Sequence, residues 1–264
     1  MKKIKTFDII NTLILMMVGF FAFFPIWYVF VISVSTGQSY IQDRLHFWPK
    51  VVDFSEYRRV LVAGDLLHAL GNSAIITGIG TFLALLVTIM AAYALSRGRL
   101  RGQKIITPLN LFTMFFQAGL IPFYLLVSSL GLKNTFWALI LPSLTNAYYI
   151  MIMRTYLSGI SASIEESAKI DGASDFRILF MIVIPISTPM IAAIGLFFGL
   201  QYYNDYFNAL LFITSRRLYP LQFLLREMVV NNISNSSSVG GSSTTTGDIF
   251  KMASVILSII PILL

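Results

Sequence analysis

Five stretches of the chain run without a single Asp, Glu, Lys or Arg: residues 9–34, 72–96, 105–127, 135–153 and 180–200. A helix needs about 20 apolar residues to cross a bilayer core, so each stretch predicts a membrane span. The apolar residues are continuous and do not alternate, which excludes a barrel of half-buried strands. A sixth apolar run, Met252–Leu264, is too short to span and ends without the flanking charges that usually stop a helix at the interface, so the last span, 249–264, is expected to be incomplete in this chain. The opening MKKIK comes before an uncharged, mostly apolar run of 26 residues with no A-x-A site after it, which predicts a retained first helix rather than a cleaved signal. The expectation is an all-α, polytopic bundle forming a single transmembrane domain over 1–264.

The runs are not featureless. Pro25, Pro108, Pro122, Pro142, Pro185 and Pro189 lie within or beside them, and each proline frees a carbonyl that neighbouring helices or water must satisfy. That favours a packed bundle over isolated anchors. Gly195 and Gly199 form a GxxxG pair, which permits close helix approach and ordinary packing alike.

Composition then fixes the class and the orientation. Of 264 residues, 56% are apolar and only 12% charged, against about a quarter charged in a soluble domain. With no cysteine, a disulfide scaffold and thiolate metal chemistry are excluded. The net charge of +7 is unevenly spread. With the N-terminus in the cytoplasm, the inner segments 1–8, 97–104 and 154–179 hold ten Lys and Arg in 42 residues, and the outer ones, 35–70, 128–133 and 201–248, hold eight in 90. Basic residues concentrate on the cytoplasmic side of membrane proteins, so much of the +7 is an orientation signal and nucleic acid is not an expected partner.

The spans contain no acid, base or histidine at depth, which disfavours proton-driven transport. Their polar residues are neutral: Asn110, Gln117, Asn146, Ser187 and Thr188, with Tyr148 and Tyr149 beside Asn146. Amides and phenols suit an uncharged polyhydroxylated solute, and equally suit hydrogen bonds between helices. Residues 201–208, QYYNDYFN, would place Gln201, Asp205 and Asn208 on one helical face, with Tyr202 and Tyr206 on an adjacent one. The candidates for a substrate path are Gln117, Asn146, Tyr149, Tyr202, Asn204, Asp205 and Asn208; an interfacial aromatic belt is the alternative for the last group. His46 and His68 have no metal spacing, so no metal site is expected, and adjacent Glu165 and Glu166 diverge too far on a helix to form an acid–base pair. There is no GxxxxGK[ST], so no P-loop. A membrane enzyme or a stand-alone carrier would each have to act without such groups.

One inner segment, 158–185, is more than a connector. SGISASIEESAKIDGASDFRILFMIVIP reads as a charged helix with Glu165, Glu166 and Lys169 forming i,i+3 and i,i+4 pairs, an apolar stripe of Ile164 and Ala168, a glycine cap or close turn at Gly172, and a second helix running into Pro185. A short amphipathic helix held by two spans is either a solvated loop or an element that inserts into a partner's groove. Its residues Glu166, Ser167, Ala168, Gly172, Ile182 and Pro185 match the spacing E-A-A-x3-G-x9-I-x-L-P, with Ser167 for alanine and Ile184 for leucine. Ser161 stands where proline is frequent.

This pattern resembles that of permease subunits of binding-protein-dependent ABC importers. IDGAS and the Pro185/Pro189 pair resemble the maltose-type, carbohydrate-uptake branch, and GLIPFYLL, NTFWALILP and LYPLQFLLRE resemble permeases for oligosaccharides and polysaccharide fragments in Gram-positive bacteria. The resemblance implies a type I importer fold and no chemistry on the solute. It also implies a place in the bacterial cytoplasmic membrane and alternating access driven by separate ATPase subunits that bind ATP and Mg. In that reading 158–185 is the coupling loop, and Glu165, Glu166, Ser167, Ala168, Asp171 and Gly172 face the ATPase. The implied partners are a second, different permease, two ATPase subunits, an extracellular solute-binding lipoprotein and membrane lipid. The polar stretch 231–247, a flexible linker by composition, corresponds to a loop that in maltose-type permeases reaches into the binding protein.

Overall fold

The computed structural model describes residues 6–42, 47–62, 65–98, 100, 102–116, 118–236 and 243–263. In chain order the helices are α1 (Thr6–Ser33), α2 (Gly37–Gln42), α3 (Ser55–Val62), α4 (Asp65–Ser96), α5 (Gln103–Phe115), α6 (Leu120–Ser129), α7 (Trp137–Ile140), α8 (Ala147–Ser158), α9 (Ala162–Ile170), α10 (Asp175–Ile178), α11 (Ile184–Ile186), α12 (Thr188–Tyr203), α13 (Phe207–Phe212), α14 (Leu221–Ser236) and α15 (Ser243–Leu263). Among the described residues the only strand-like pairing is an isolated bridge between Ser35 and Val52. The fold is all-α, as the apolar runs predict.

Two of those runs form unbroken helices long and apolar enough to cross a membrane, Ile10–Ser33 and Leu66–Ser96. The others break, two of them at a proline. Run 135–153 divides into α7, a 3-10 turn Leu141–Ser143 carrying Pro142, and α8, whose N-terminus Asn146 caps by accepting from the Tyr148 and Tyr149 amides. Run 180–200 turns by 84° between Ile186 and Thr188. Pro189 cannot donate to the Pro185 carbonyl, and the Thr188 hydroxyl donates to that oxygen instead at 2.8 Å. Run 105–127 is split between α5 and α6, whose axes differ by 113°.

By its contacts the chain groups into two compact units, Met1–His68 with Leu224–Leu264, and Ala69–Phe223. In the first, α15 packs along α1, α2 and α3. α1 keeps Val31 and Ile32 inside, and Val34 just beyond it is also buried, while most of its remaining apolar side chains, Phe7 to Phe30, face outward. In the second, the core is built from Ala84 and Ala92 of α4, Leu139 and Ile140 of α7, Met153 and Leu157 of α8, Ile178 of α10, and Ile194 and Phe198 of α12.

Small residues set the approach of α12 to α4. A Cβ on Gly80 would lie 2.8 Å from the Tyr202 ring, one on Gly195 3.2 Å from Leu85, and one on Gly199 3.8 Å from the Thr81 hydroxyl. At its other end α4 holds the segment before α14: the Asn72 amide donates to the Arg217 and Tyr219 carbonyls, and the Leu221 amide donates to Ser73 Oγ.

Of the polar stretch 231–247, a flexible linker by composition, residues 237–242 lie outside the described residues and the two flanks are helical. Residues 231–236 continue α14, and 243–247 open α15. Once Leu221–Val230 has nucleated a helix, each further residue adds a hydrogen bond at little cost, so poor helix formers can extend it.

Candidate functional site

The segment 158–185 begins as α8 ends at Ser158, and its geometry follows from three local signals. Ser161 caps α9, its hydroxyl accepting from the Ser163 amide, in place of a proline start. The helix stops at Gly172, which adopts φ +79°. The Gly172 amide bonds to the Lys169 carbonyl and the Ala173 amide to the Ala168 carbonyl, at 3.0 and 2.9 Å. These are the paired bonds of a Schellman stop, with Ala168 and Ala173 both packed on the core beneath. A Cβ on Gly172 would meet nothing within 4 Å, so within this chain the backbone conformation, not crowding, requires glycine. Ser174 then caps α10, accepting from the Arg177 amide.

The charges on α9 do not pair along the helix as i,i+3 and i,i+4 spacing suggests. Lys169 reaches Asp175 of α10 at 2.7 Å. Glu165 turns inward, is 3% exposed, and meets the Arg97 guanidinium beyond α4, Nε to Oε1 at 2.7 Å. The oxygen lies off the N–H axis, so this is an ion pair rather than a linear hydrogen bond. Glu165 is therefore an internal residue and not a surface contact, a correction to its expected place facing the ATPase. Glu166, Ser167, Asp171 and Gly172 are exposed, as is Ile170 at 86%, while Ala168 is half-buried. An apolar side chain that bare, beside an acid and an open glycine, makes a small mixed surface suited to a partner's groove.

Arg97 is the residue sequence reasoning missed: it counts there only as an orientation charge. Its Nη1 donates to the Ile160 carbonyl at 3.4 Å, and its guanidinium carbon lies 5.5 Å from the Tyr93 ring centre. The pair lines a cavity of about 370 Å³ with Tyr93, Asp175, Phe176 and Leu179. No spacing rule in the sequence links positions 97 and 165; a basic residue directly after a long span is the sole hint.

The candidates for a substrate path scatter. Gln117 lies outside the described residues. Asn146 caps α8 and, with Asn110, Thr113 and Tyr148, lines a second cavity of about 720 Å³ between α5 and α8. Within it the Asn110 side-chain oxygen is buried with no protein partner. Tyr149 points instead into the core, stacked on Phe197 and edge-on to Phe198.

Residues 201–208 do not present one helical face, because α12 ends at Tyr203 and α13 starts afresh at Phe207. Tyr202, 3% exposed, donates its hydroxyl to the Ile140 carbonyl at 3.0 Å, so it holds α12 to α7 and lines no path here. Asn204 is exposed and donates to the Leu200 carbonyl. Asp205 accepts from the Asn208 amide and side chain at 3.1 and 2.7 Å, which starts α13. Burial pushes the Asp205 carboxyl above its ordinary 3.8, against the pull of those hydrogen bonds.

No protein-family model matches the chain. Individual proteins do, over nearly its full length. It is 35% identical over 265 residues to the permease YtcP of a polygalacturonan/rhamnogalacturonan transport system from Bacillus subtilis, covering 99% of this chain and 93% of that one. The chain belongs to the permease family of ABC importers for sugars and polysaccharides. The trehalose/maltose permease MalG of Thermococcus litoralis shares 29% identity over 239 residues, 87% of this chain and 85% of that one. A chain in the crystal structure of a bacterial ABC transporter that imports the acidic polysaccharide alginate superposes with a TM-score of 0.89 at 32% identity, covering 100% of this chain and 95% of that one. The ABC permease is thus a multi-pass membrane protein and a transport component rather than an enzyme, with ATPase and binding-protein partners. Its transport of solute is coupled to a partner ATPase.

Proposed function

We propose that this ABC permease is one of two unlike permease subunits importing a saccharide chain fragment, with its N-terminus in the cytoplasm and α9 docked on a partner ATPase that binds ATP and Mg. A solute-binding lipoprotein outside the membrane delivers the fragment. The observation that carries the reading is the surface of α9: Glu166, Ile170 and Gly172 exposed at the tip of a helix whose other face is locked to its own core. The solute path runs along the neutral cavity lined by Asn110, Asn146 and Tyr148, whose amide and phenol groups suit hydrogen bonds to sugar hydroxyls. Uronate polymers are the favoured solute class, because YtcP and the alginate transporter are both named for acidic polysaccharides.

The reconstituted complex tests this. Glu166→Lys is expected to insert normally but to lower ATPase co-purification at least fivefold, and unchanged co-purification would remove α9 as the docking element. In the same vesicles an unlabelled uronate oligosaccharide should compete with uptake more effectively than a neutral one of equal length; the reverse order would reassign the solute class.

A further inference from the structure

The end of α4 is tied to everything around the coupling segment. The Leu95 carbonyl accepts from Arg154 Nε of α8 at 3.1 Å and from the Gln103 side chain of α5. Two residues on, Arg97 grips the Ile160 carbonyl, in the short link between α8 and α9, and the Glu165 carboxylate on α9 itself. The two side chains of this pair are 13% and 4% exposed, so water screens their attraction little. Buried charges of this kind are held by their partner: removing one leaves the other stranded, and the helices carrying them cannot separate without exposing both. The remainder of α9 has a weaker hold on the core, Ala168 by its methyl group and the Lys169–Asp175 pair in partial solvent.

We propose that Arg97 and Glu165 are positioning residues, a strut that makes α9 and the cytoplasmic end of α4 move as one body, so that displacement of α9 by the ATPase is delivered to α4. α4, Asp65–Ser96, is the longest helix among the described residues, and its far end holds the segment before α14 through Asn72 and Ser73. A push at Glu165 therefore reaches the opposite end of α4 without passing through a loop. This division of labour separates two adjacent acids: Glu166 meets the ATPase, and Glu165 transmits what it receives. The cavity beside the strut leaves Phe176 and Leu179 room to adjust while the ion pair stays closed. The inference rests on α9 being the ATPase-docking helix.

The chain has no cysteine, so pairs can be introduced cleanly into a complex whose other subunits are also cysteine-free. A cysteine at the end of α4 and one on the α4-facing side of α9, joined by a short thiol cross-linker, should leave uptake within twofold of the unlinked complex, because the two sites do not move apart. A cross-link that stops uptake, with ATPase still bound, would overturn the strut. In an uncross-linked complex, Arg97→Gln and Glu165→Gln should each keep ATPase co-purification but lower solute moved per ATP hydrolysed at least tenfold. The double variant should be no worse than either single, and Arg97→Lys should recover part of the ratio. A wild-type ratio in the single variants, or a failure of either to assemble, would instead make the pair irrelevant to coupling or a plain fold contact. Failure of the docking assignment itself has a different signature, normal ATPase binding by Glu166→Lys.

Discussion

Glu165 and Glu166 are adjacent in sequence and about 100° apart around α9, and that rotation buries one against Arg97 while leaving the other in solvent. Gly172 illustrates the same point for backbone. Its φ of +79° and the two Schellman bonds assign it a conformational task within the chain, and open space around its Cβ position leaves room for a partner. The two demands can be separated. Asparagine tolerates the left-handed region, whereas valine pays the full penalty of roughly 1–2 kcal/mol and adds bulk. If backbone conformation alone matters, Gly172→Asn should keep more than half of wild-type uptake in vesicles and Gly172→Val should lose most of it. Equal loss in both, with normal insertion, would show that the ATPase needs the surface left bare.

At the scale of elements, the approach of α12 to α4 depends on three glycines with graded clearances. Tyr202 cannot yield easily to a Cβ on Gly80, because its hydroxyl is anchored on the Ile140 carbonyl. Leu85, opposite Gly195, can rotate, and Thr81 opposite Gly199 is already at ordinary contact distance. Overpacking costs about 1–3 kcal/mol where nothing can move, so thermal unfolding in detergent should rank Gly80→Ala as most damaging, then Gly195→Ala, with Gly199→Ala near neutral. An order led by Gly199→Ala would refute the packing account.

The GxxxG pair was legible in sequence, but Gly80 was not, since its partner is an aromatic residue 122 positions away. The same limit runs through the rest of the chain. Apolar runs and basic asymmetry specify a bundle, and the E-S-A-x3-G spacing specifies α9 with its cap. Breaks are harder to read: Pro142 and Pro189 interrupt their runs, whereas Pro25 and Pro108 sit inside continuous helices, and only packing decides between these outcomes. Tyr202 and Tyr149 looked like solute contacts because their hydroxyls and rings are chemically suited to sugars, yet core packing uses both of those properties.

For the whole molecule, the sorting of charge is the strongest constraint on how it sits in the membrane. Ten basic residues in 42 inner positions against eight in 90 outer ones give a strong bias for one orientation. The elements carrying them are also unlike. Arg97 and Lys169 are each fixed by a carboxylate, so these inner charges form structure as well as orienting it. Lys133, by contrast, lies over the Tyr124 ring, and Asn134 beside it accepts from the Thr214 and Ser215 amides. Ser163 on α9 and Ser215 near this second cluster must then lie on opposite sides of the bilayer. A single cysteine at Ser215 should react with a membrane-impermeant maleimide in intact cells, and one at Ser163 only after the cells are opened. Labelling at Ser163 from outside would invert the permease and detach α9 from any cytoplasmic ATPase, so this one measurement bears on the orientation and the docking assignment together.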